Sequence, residues 1–253
     1  MVSTDSEYYD LGSAKPFAPR SSTDGYQAKF IVNGGKQFLK LQCVLHGQQL
    51  KDPWVEVIAS TLAERVGIPC VKQKFASARW RGLGYVGVVS DIFSDEFYSY
   101  SRMTELNGED IKNSEYNSLC ATDKVTFLAH NMARYTQSDV GLWCRYLRNM
   151  MLLDILVGNN DRHFHNFGSF NLAAPALLFD NGMGMFVDCP DYYTFDDCMQ
   201  QLYIQPWSED PFDLIAELNL QHSCAGLQWE DLLYLCPSNN AKRYFTEVMQ
   251  LVT

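Results

Sequence analysis

The stretch Gly158-Asn159-Asn160-Asp161-Arg162-His163-Phe164-His165-Asn166, with Phe179-Asp180-Asn181-Gly182 behind it, decides how this chain is read. Asn166 follows Asp161 by five residues, and Asp180 follows Asn166 by fourteen. Phosphoryl transfer from a nucleotide needs that set of groups. One carboxylate takes the proton of the attacking hydroxyl, while an Asn oxygen and a second carboxylate hold magnesium against the phosphates. Two oxygen ligands on neighbouring loops suit magnesium, which keeps several waters and takes its remaining ligands from phosphate.

Asp and Asn are also ordinary turn residues, because their side chains satisfy nearby backbone. An isolated Asn-Asn-Asp would be read as a turn. Here the flanking pattern agrees with the chemistry. Trp143, Tyr146, Leu147, Met150, Leu153 and Val157 recur at helical spacing, which predicts a helix over 143–157. Gly158 and Asn159 can end it. Residues 161–166 then form a loop at the helix exit, and 167–170 and 176–179 read as short strands around a turn at 171–175. Such a hairpin returns the chain to its starting level and sets Asp180 beside Asn166.

The composition narrows the class. A chain of 253 residues, 47% of them apolar, can bury a sizeable core as one large domain or two lobes. The net charge of −10 argues against a nucleic-acid binder, which normally shows a basic patch. No run approaches the length of a membrane span. The start of the chain, with Asp5, Glu7 and Asp10, has neither the basic nor the apolar region of a signal peptide. The eight cysteines show no C-x-x-C spacing and read as reduced thiols of a cytoplasmic protein rather than as zinc ligands.

Upstream, residues 26–32 and 36–43 flank Asn33-Gly34-Gly35, a hairpin signal because Asn and Gly accept positive φ. Ser21-Ser22-Thr23-Asp24-Gly25 precedes the first of these strands and can present backbone N–H and hydroxyl groups to a phosphate; a solvated loop is the plainer alternative. Lys40 lies mid-strand between Leu39 and Leu41, either snorkelling at a sheet edge or held by an anion. Asp52 reads as a helix N-cap with Pro53 at the first helical position. Val55, Ile58, Ala59, Leu62 and Val66 form an apolar stripe that Gly67 and Pro69 close. Glu56 on that helix either complements the helix dipole or pairs with Lys40, as a strand lysine and a helix glutamate do in kinases. Residues 85–89 read as a buried strand, and Ser90-Asp91-Ile92-Phe93 leaves it where backbone groups of a hinge would meet adenine. Helices are expected over 124–135 and 140–157, so strand-rich sequence gives way to helix-rich sequence near residue 93.

Taken together, these residues resemble the HipA-like kinases, a bacterial group of serine/threonine protein kinases. The resemblance spans most of residues 20–185. Leu156 to Asn166 is similar to the family's L-x-G-N-x-D-x-H-x-x-N, Glu56 to Pro69 to its first helix, and Asp24-Gly25-Tyr26-Gln27-Ala28-Lys29 to the Gln-x-Lys end of its phosphate loop. The resemblance implies Asp161 as base, Asn166 and Asp180 as magnesium ligands, Lys40 on the ATP phosphates, Glu56 positioning Lys40, and His163 bracing the catalytic loop. It also implies a modifiable serine in the phosphate loop, so that phosphorylation at Ser21 or Ser22 would repel nucleotide. The chain departs from the long members in lacking their extra amino-terminal subdomain and looks like a compact form. Asp24 places a negative charge in the phosphate loop.

Other readings remain open at this level. His163 and His165 form an H-x-H pair of the kind that ligates zinc or iron. Asp188, Asp191, Asp196, Asp197, Glu209, Asp210 and Asp213 make the carboxyl third acidic, either a solvated surface or a platform for basic substrates. The expectation is an α+β, two-lobed protein-kinase-like fold, with an N-lobe over 1–92 and a helical C-lobe over 93–253. Ser21, Ser22, Thr23, Gly25, Lys40, Glu56, Ser90 and Ile92 would line the ATP site. The expected activity is ATP- and magnesium-dependent transfer to serine or threonine of a protein substrate, with no nucleic-acid partner and a regulatory partner protein unspecified. A lipid or small-molecule kinase, or a non-catalytic pseudokinase, is the alternative.

Overall fold

The computed structural model describes residues 7–17, 27–92, 96–109, 114–207 and 209–253. In chain order the elements are β1 (Glu7–Gly12), β2 (Lys29–Val32), β3 (Gln37–Leu41), β4 (Val44–Leu45), β5 (Gln48–Gln49), α1 (Asp52–Val66), β6 (Lys74–Trp80), β7 (Leu83–Asp91), β8 (Phe97–Ser99), α2 (Tyr100–Leu106), α3 (Ser114–Asn117), α4 (Ala121–Thr136), α5 (Val140–Val157), β9 (Gly168–Phe170), β10 (Ala174–Pro175), α6 (Phe195–Gln201), α7 (Pro211–Glu217) and α8 (Asn239–Val252). A strand-rich first part carrying α1 is followed by a mostly helical second part, an α+β two-lobed arrangement.

The first sheet has five strands in the order β1-β6-β7-β3-β2. Two tight connections set its register. Asn33, Gly34 and Gly35 all take positive φ between β2 and β3, and Arg81 and Gly82 do so between β6 and β7. Positive φ at both central residues gives a turn whose twist matches the strands it joins. β3 is therefore an interior strand, which removes the edge-strand reading of Lys40. β1 runs parallel to β6 at the opposite edge, a pairing that no local signal announced.

α1 packs on one face of this sheet and shares a single core with α4, α5 and α8. Gly67 closes α1 at φ +75, with its N–H on the last-turn carbonyls. Asp52, expected as the N-cap, instead lies inside the first turn; Lys51 occupies the cap position and makes no side-chain cap bond. The Asp52 carboxylate is taken by other partners, described below. α5 runs through the centre of the core, from an Asp139 cap to Gly158 at φ +59. Glycine is required at 158 twice over: for its left-handed backbone, and because a Cβ there would sit 2.9 Å from the Tyr244 ring. The opposite face of the sheet carries a small separate cluster of Phe30, Leu39, Leu41, Ala76, Ala78 and Val89.

The hairpin expected after the catalytic loop is only half present. β9 pairs with β10 across a shorter turn and with β8 on its other side. Residues 176–179 are not a strand. The Leu178 backbone instead bonds on both sides of Cys70, in the segment after α1: its N–H donates to Pro69 and its carbonyl accepts from Val71. The chain thus leaves the hairpin and pairs across to the first lobe, and this pairing carries Asp180 toward α1.

Candidate active site

Lys40 joins the two lobes at the site. Its ammonium is 2.5 Å from Glu56 Oε1 on α1 and 2.6 Å from Asp180 Oδ1 on the second lobe. Glu56 is fully buried, and its other oxygen accepts the Asn181 backbone N–H at 3.2 Å. Burial works against the charge on Lys40, but Asp180 and Glu56 overcome it and hold the ammonium above the ordinary lysine range. Burial likewise opposes the charge on Asp180. Lys40 and Lys29 outweigh it and keep that carboxyl well below the usual carboxylate range. Asp180 adopts φ +60, a region uncommon for a non-glycine residue but tolerated by Asp.

The loop over residues 158–166 is fixed by a buried arginine. Arg162 has no exposed surface and pairs with the equally buried Asp154 of α5 at 2.8 Å. It also donates to the Phe179 carbonyl at 2.6 Å, to Asn181 Oδ1 at 2.5 Å and to the Asn166 carbonyl at 3.4 Å. One guanidinium therefore ties the end of α5, the loop and the Asp180 segment together. Burial disfavours its charge, and Asp154 more than restores it, so Arg162 stays protonated. Asn159 completes the frame: its amide donates to Asp154 and its oxygen accepts the Asp161 N–H.

Asp161 itself is exposed, and its carboxylate makes no hydrogen bond to a described residue. Protein crowding on one side raises its pKa, opposed by His163 and reinforced by Asp180. Its carbonyl accepts the Asn166 side-chain amide at 3.0 Å. That bond occupies the Asn166 amide nitrogen, and neither Asn166 Oδ1 nor Asp180 Oδ2 accepts a hydrogen bond from a described residue. An amide oxygen and a carboxylate oxygen are the hard donors that suit magnesium, so the residues fit the ion that the spacing implied. His163 accepts the His165 N–H on Nδ1 at 3.2 Å. Burial lowers its pKa against the pull of Asp161, which agrees with a neutral ring accepting at Nδ1. That nitrogen is thereby occupied within the loop.

Gly182 closes the site beneath. A Cβ there would lie 3.2 Å from Glu56 Cγ and 3.3 Å from Asp52 Cβ, so the triplet's third position rests directly on the first turn of α1. Asp52, also buried, accepts the Cys43 N–H at 2.9 Å and the Gln27 side-chain amide at 2.5 Å. It links the start of β2, the end of β3 and the helix that carries Glu56.

Ser21, Ser22, Thr23 and Gly25 lie outside the described residues. Ser90 is buried in β7, and Ile92 is exposed at its end. The Ile92 N–H donates to the Lys36 carbonyl at 2.9 Å, which extends the β3–β7 pairing by one bond. The sequence reading missed Arg162, Asp154 and Asn181, which look like loop or helix-surface residues when tertiary contacts are unknown. Lys29, the last residue of the Gln-x-Lys segment, lies opposite Lys40 in the register that the Asn33-Gly34-Gly35 hairpin sets.

No protein-family model matches the chain, and no curated protein matches it by sequence. Solved structures do. The chain is similar in fold to the proinflammatory kinase CtkA of Helicobacter pylori, at a TM-score of 0.62 and 14% identity, over 96% of this chain and 92% of that one. It also aligns with HipA of Shewanella oneidensis MR-1, from a toxin–antitoxin complex with HipB and operator DNA, at a TM-score of 0.47 and 17% identity, over 96% of this chain and 61% of that one. The two-lobed, kinase-like fold is shared with CtkA at near-complete coverage of both chains.

Proposed function

We propose that this protein transfers the terminal phosphoryl group of ATP to a serine or threonine hydroxyl of a protein substrate. The observation that carries the reading is the convergence of five residues from four separate segments: Lys40, Glu56, Asp161, Asn166 and Asp180. Each has the chemistry its place in a phosphoryl-transfer site requires. Asp161 is the base: exposed, with its carboxylate unpaired among the described residues and framed by Asn159 and Asn166, it takes the proton as the hydroxyl attacks. Asn166 Oδ1 and Asp180 would hold magnesium, which supplies charge neutralisation to the phosphates. Lys40, fixed by Glu56, meets the phosphate chain. His163 keeps the loop in shape through the His165 amide. Ser90 and Ile92 border the nucleotide side of the sheet, with the Ile92 amide already committed to Lys36. Self-modification at Ser21 or Ser22 belongs to the same reading.

The test is transfer of label from γ-labelled Mg-ATP to protein, including the enzyme itself. Asp161→Asn should lower turnover by about 10²-fold or more while ATP binding persists, because the carboxylate acts on the acceptor. Labelled sites are then mapped by mass spectrometry. Transfer by Asp161→Asn at the wild-type rate would remove Asp161 from the role.

A further inference from the structure

The first sheet carries a cavity that shares no residue with the Lys40 site. Alternate residues of a strand share a face, so Phe75, Ser77 and Arg79 of β6 form one row. Trp54 of α1 covers Phe75, with ring centroids 5.5 Å apart. Ser77 and Arg79 continue the row where no residue of α1 reaches. Together with Tyr8, which pairs with Ser77 in the β1–β6 register, they line a cavity of about 450 Å³. Small-molecule sites span about 300–1,000 Å³. The β4–β5 hairpin bounds the cavity, where the Gln49 amide donates to the Gly84 carbonyl at 3.1 Å. Tyr8 and Arg79 are exposed and Ser77 is half-buried. Among the described residues, none of these three side chains makes a hydrogen bond or an ion pair. Asp10, the register neighbour of Arg79, spends a carboxylate oxygen on the Gly12 N–H at 3.1 Å and does not line the cavity. Gly84 supplies the room. A glycine inside a strand such as β7 weakens it and often marks close approach of a backbone or a ligand. Gly87 is explained by backbone, since a Cβ there would clash with the Lys40 carbonyl. Gly84 is not: its φ lies outside the left-handed region, and a Cβ would meet nothing within 4 Å.

We infer that this cavity is a second ligand site, separate from the nucleotide, and that it takes a small aromatic carboxylate. The Arg79 guanidinium presents two parallel N–H donors that match a carboxylate, and the Ser77 hydroxyl adds a third. The exposed Tyr8 ring offers a face on which an aromatic ring stacks, and the space over Gly84 admits that ring. The plainer reading is a solvated sheet face with an exposed arginine. That reading predicts no saturable binding there.

Titration of the isotope-labelled full chain with 2-naphthoate, followed through backbone amide shifts, separates the two, with neutral 2-naphthamide alongside. Saturable shifts should gather at Ser77, Arg79, Gly84 and Val86 and persist in the presence of Mg-ATP. Loss of the charge-assisted contact should weaken binding by about tenfold or more, both for 2-naphthamide and in Arg79→Gln. Gly84→Val, whose branched side chain suits a strand, should fill the space and abolish binding. Gly84→Ala is measured alongside and should weaken binding should the valine variant fold poorly. Absence of saturable shifts at these amides with millimolar 2-naphthoate overturns the inference. So does displacement of the probe by Mg-ATP, or unchanged affinity for 2-naphthamide or in Arg79→Gln. Each of these results leaves the kinase reading standing, since none involves Asp161 or phosphoryl transfer.

Discussion

At the scale of single residues, electrostatics makes the sharpest predictions. Asp161 has a raised pKa because protein displaces water on one side and Asp180 stands near. If Asp161 is the base, as proposed, its protonation stops transfer, so the acid limb of the transfer rate should lie above the ordinary aspartate value of about 3.9. Asp161→Glu, or a limb at or below that value, distinguishes this group from another. Asp52 gives a stability prediction. Burial pushes its carboxyl up to about 7, against the Cys43 amide and Lys40, with Glu56 adding to the rise. The folded protein then binds more protons than the unfolded chain between about pH 4 and about pH 7, so this group's contribution falls as pH rises through that window. Asp52→Asn removes the slope, and should be more stable relative to wild type at about pH 8 than at about pH 5 by chemical denaturation. A difference independent of pH would contradict the assignment. Asp161, Asn166 and Asp180 were legible because their spacing is local and chemically specific. Arg162 was not: a charged loop residue reads as exposed until Asp154, Asn181 and two carbonyls are seen around it. Arg162→Ala leaves Asp154 as a buried, uncompensated charge and should cost about 3–5 kcal/mol of stability.

At the scale of elements, the site depends on the strand and helix that hold Lys40 and Glu56. The helix was legible from its apolar stripe and from Pro53 and Gly67, and the hairpin from Asn33-Gly34-Gly35. The cap was not, because Asp52 has stronger partners in Cys43 and Gln27 than its own first turn. The end of the catalytic hairpin was misread for a related reason. Residues 176–179 are a short apolar run of the kind that reads as a buried strand, yet the Leu178 backbone pairs with the segment after α1, a contact far off in sequence. Lys40→Met and Glu56→Ala should each lower transfer severely, and the double variant should fall well short of the sum, since both act through one 2.5 Å contact. Additive losses in that double-mutant cycle would mean that the two residues act independently. Gly182→Ala would push a methyl against Glu56 and Asp52 and should weaken nucleotide binding more than it weakens the fold.

At the scale of the whole molecule, the two lobes meet through α1. Its C-terminal end is bound by Arg65 to Asp231 at 2.7 Å and to the Gln228 carbonyl at 2.6 Å, and Lys51 at its start reaches the Pro237 carbonyl at 2.8 Å. The helix that carries Glu56 is thus strapped at both ends to the second lobe and shares its core. The break from strands to helices was readable in composition; this strapping and the parallel β1 edge were not, because both depend on partners remote in sequence. The central claim is that Asn166 and Asp180 hold magnesium for a nucleotide gripped from the first lobe. The direct measurement is thermal unfolding with ATP alone, magnesium alone and both. Linkage predicts that the midpoint rises only when both are present, and that Asp180→Asn loses the rise. No metal-dependent shift in the wild-type protein, at nucleotide concentrations well above those in cells, would contradict the account.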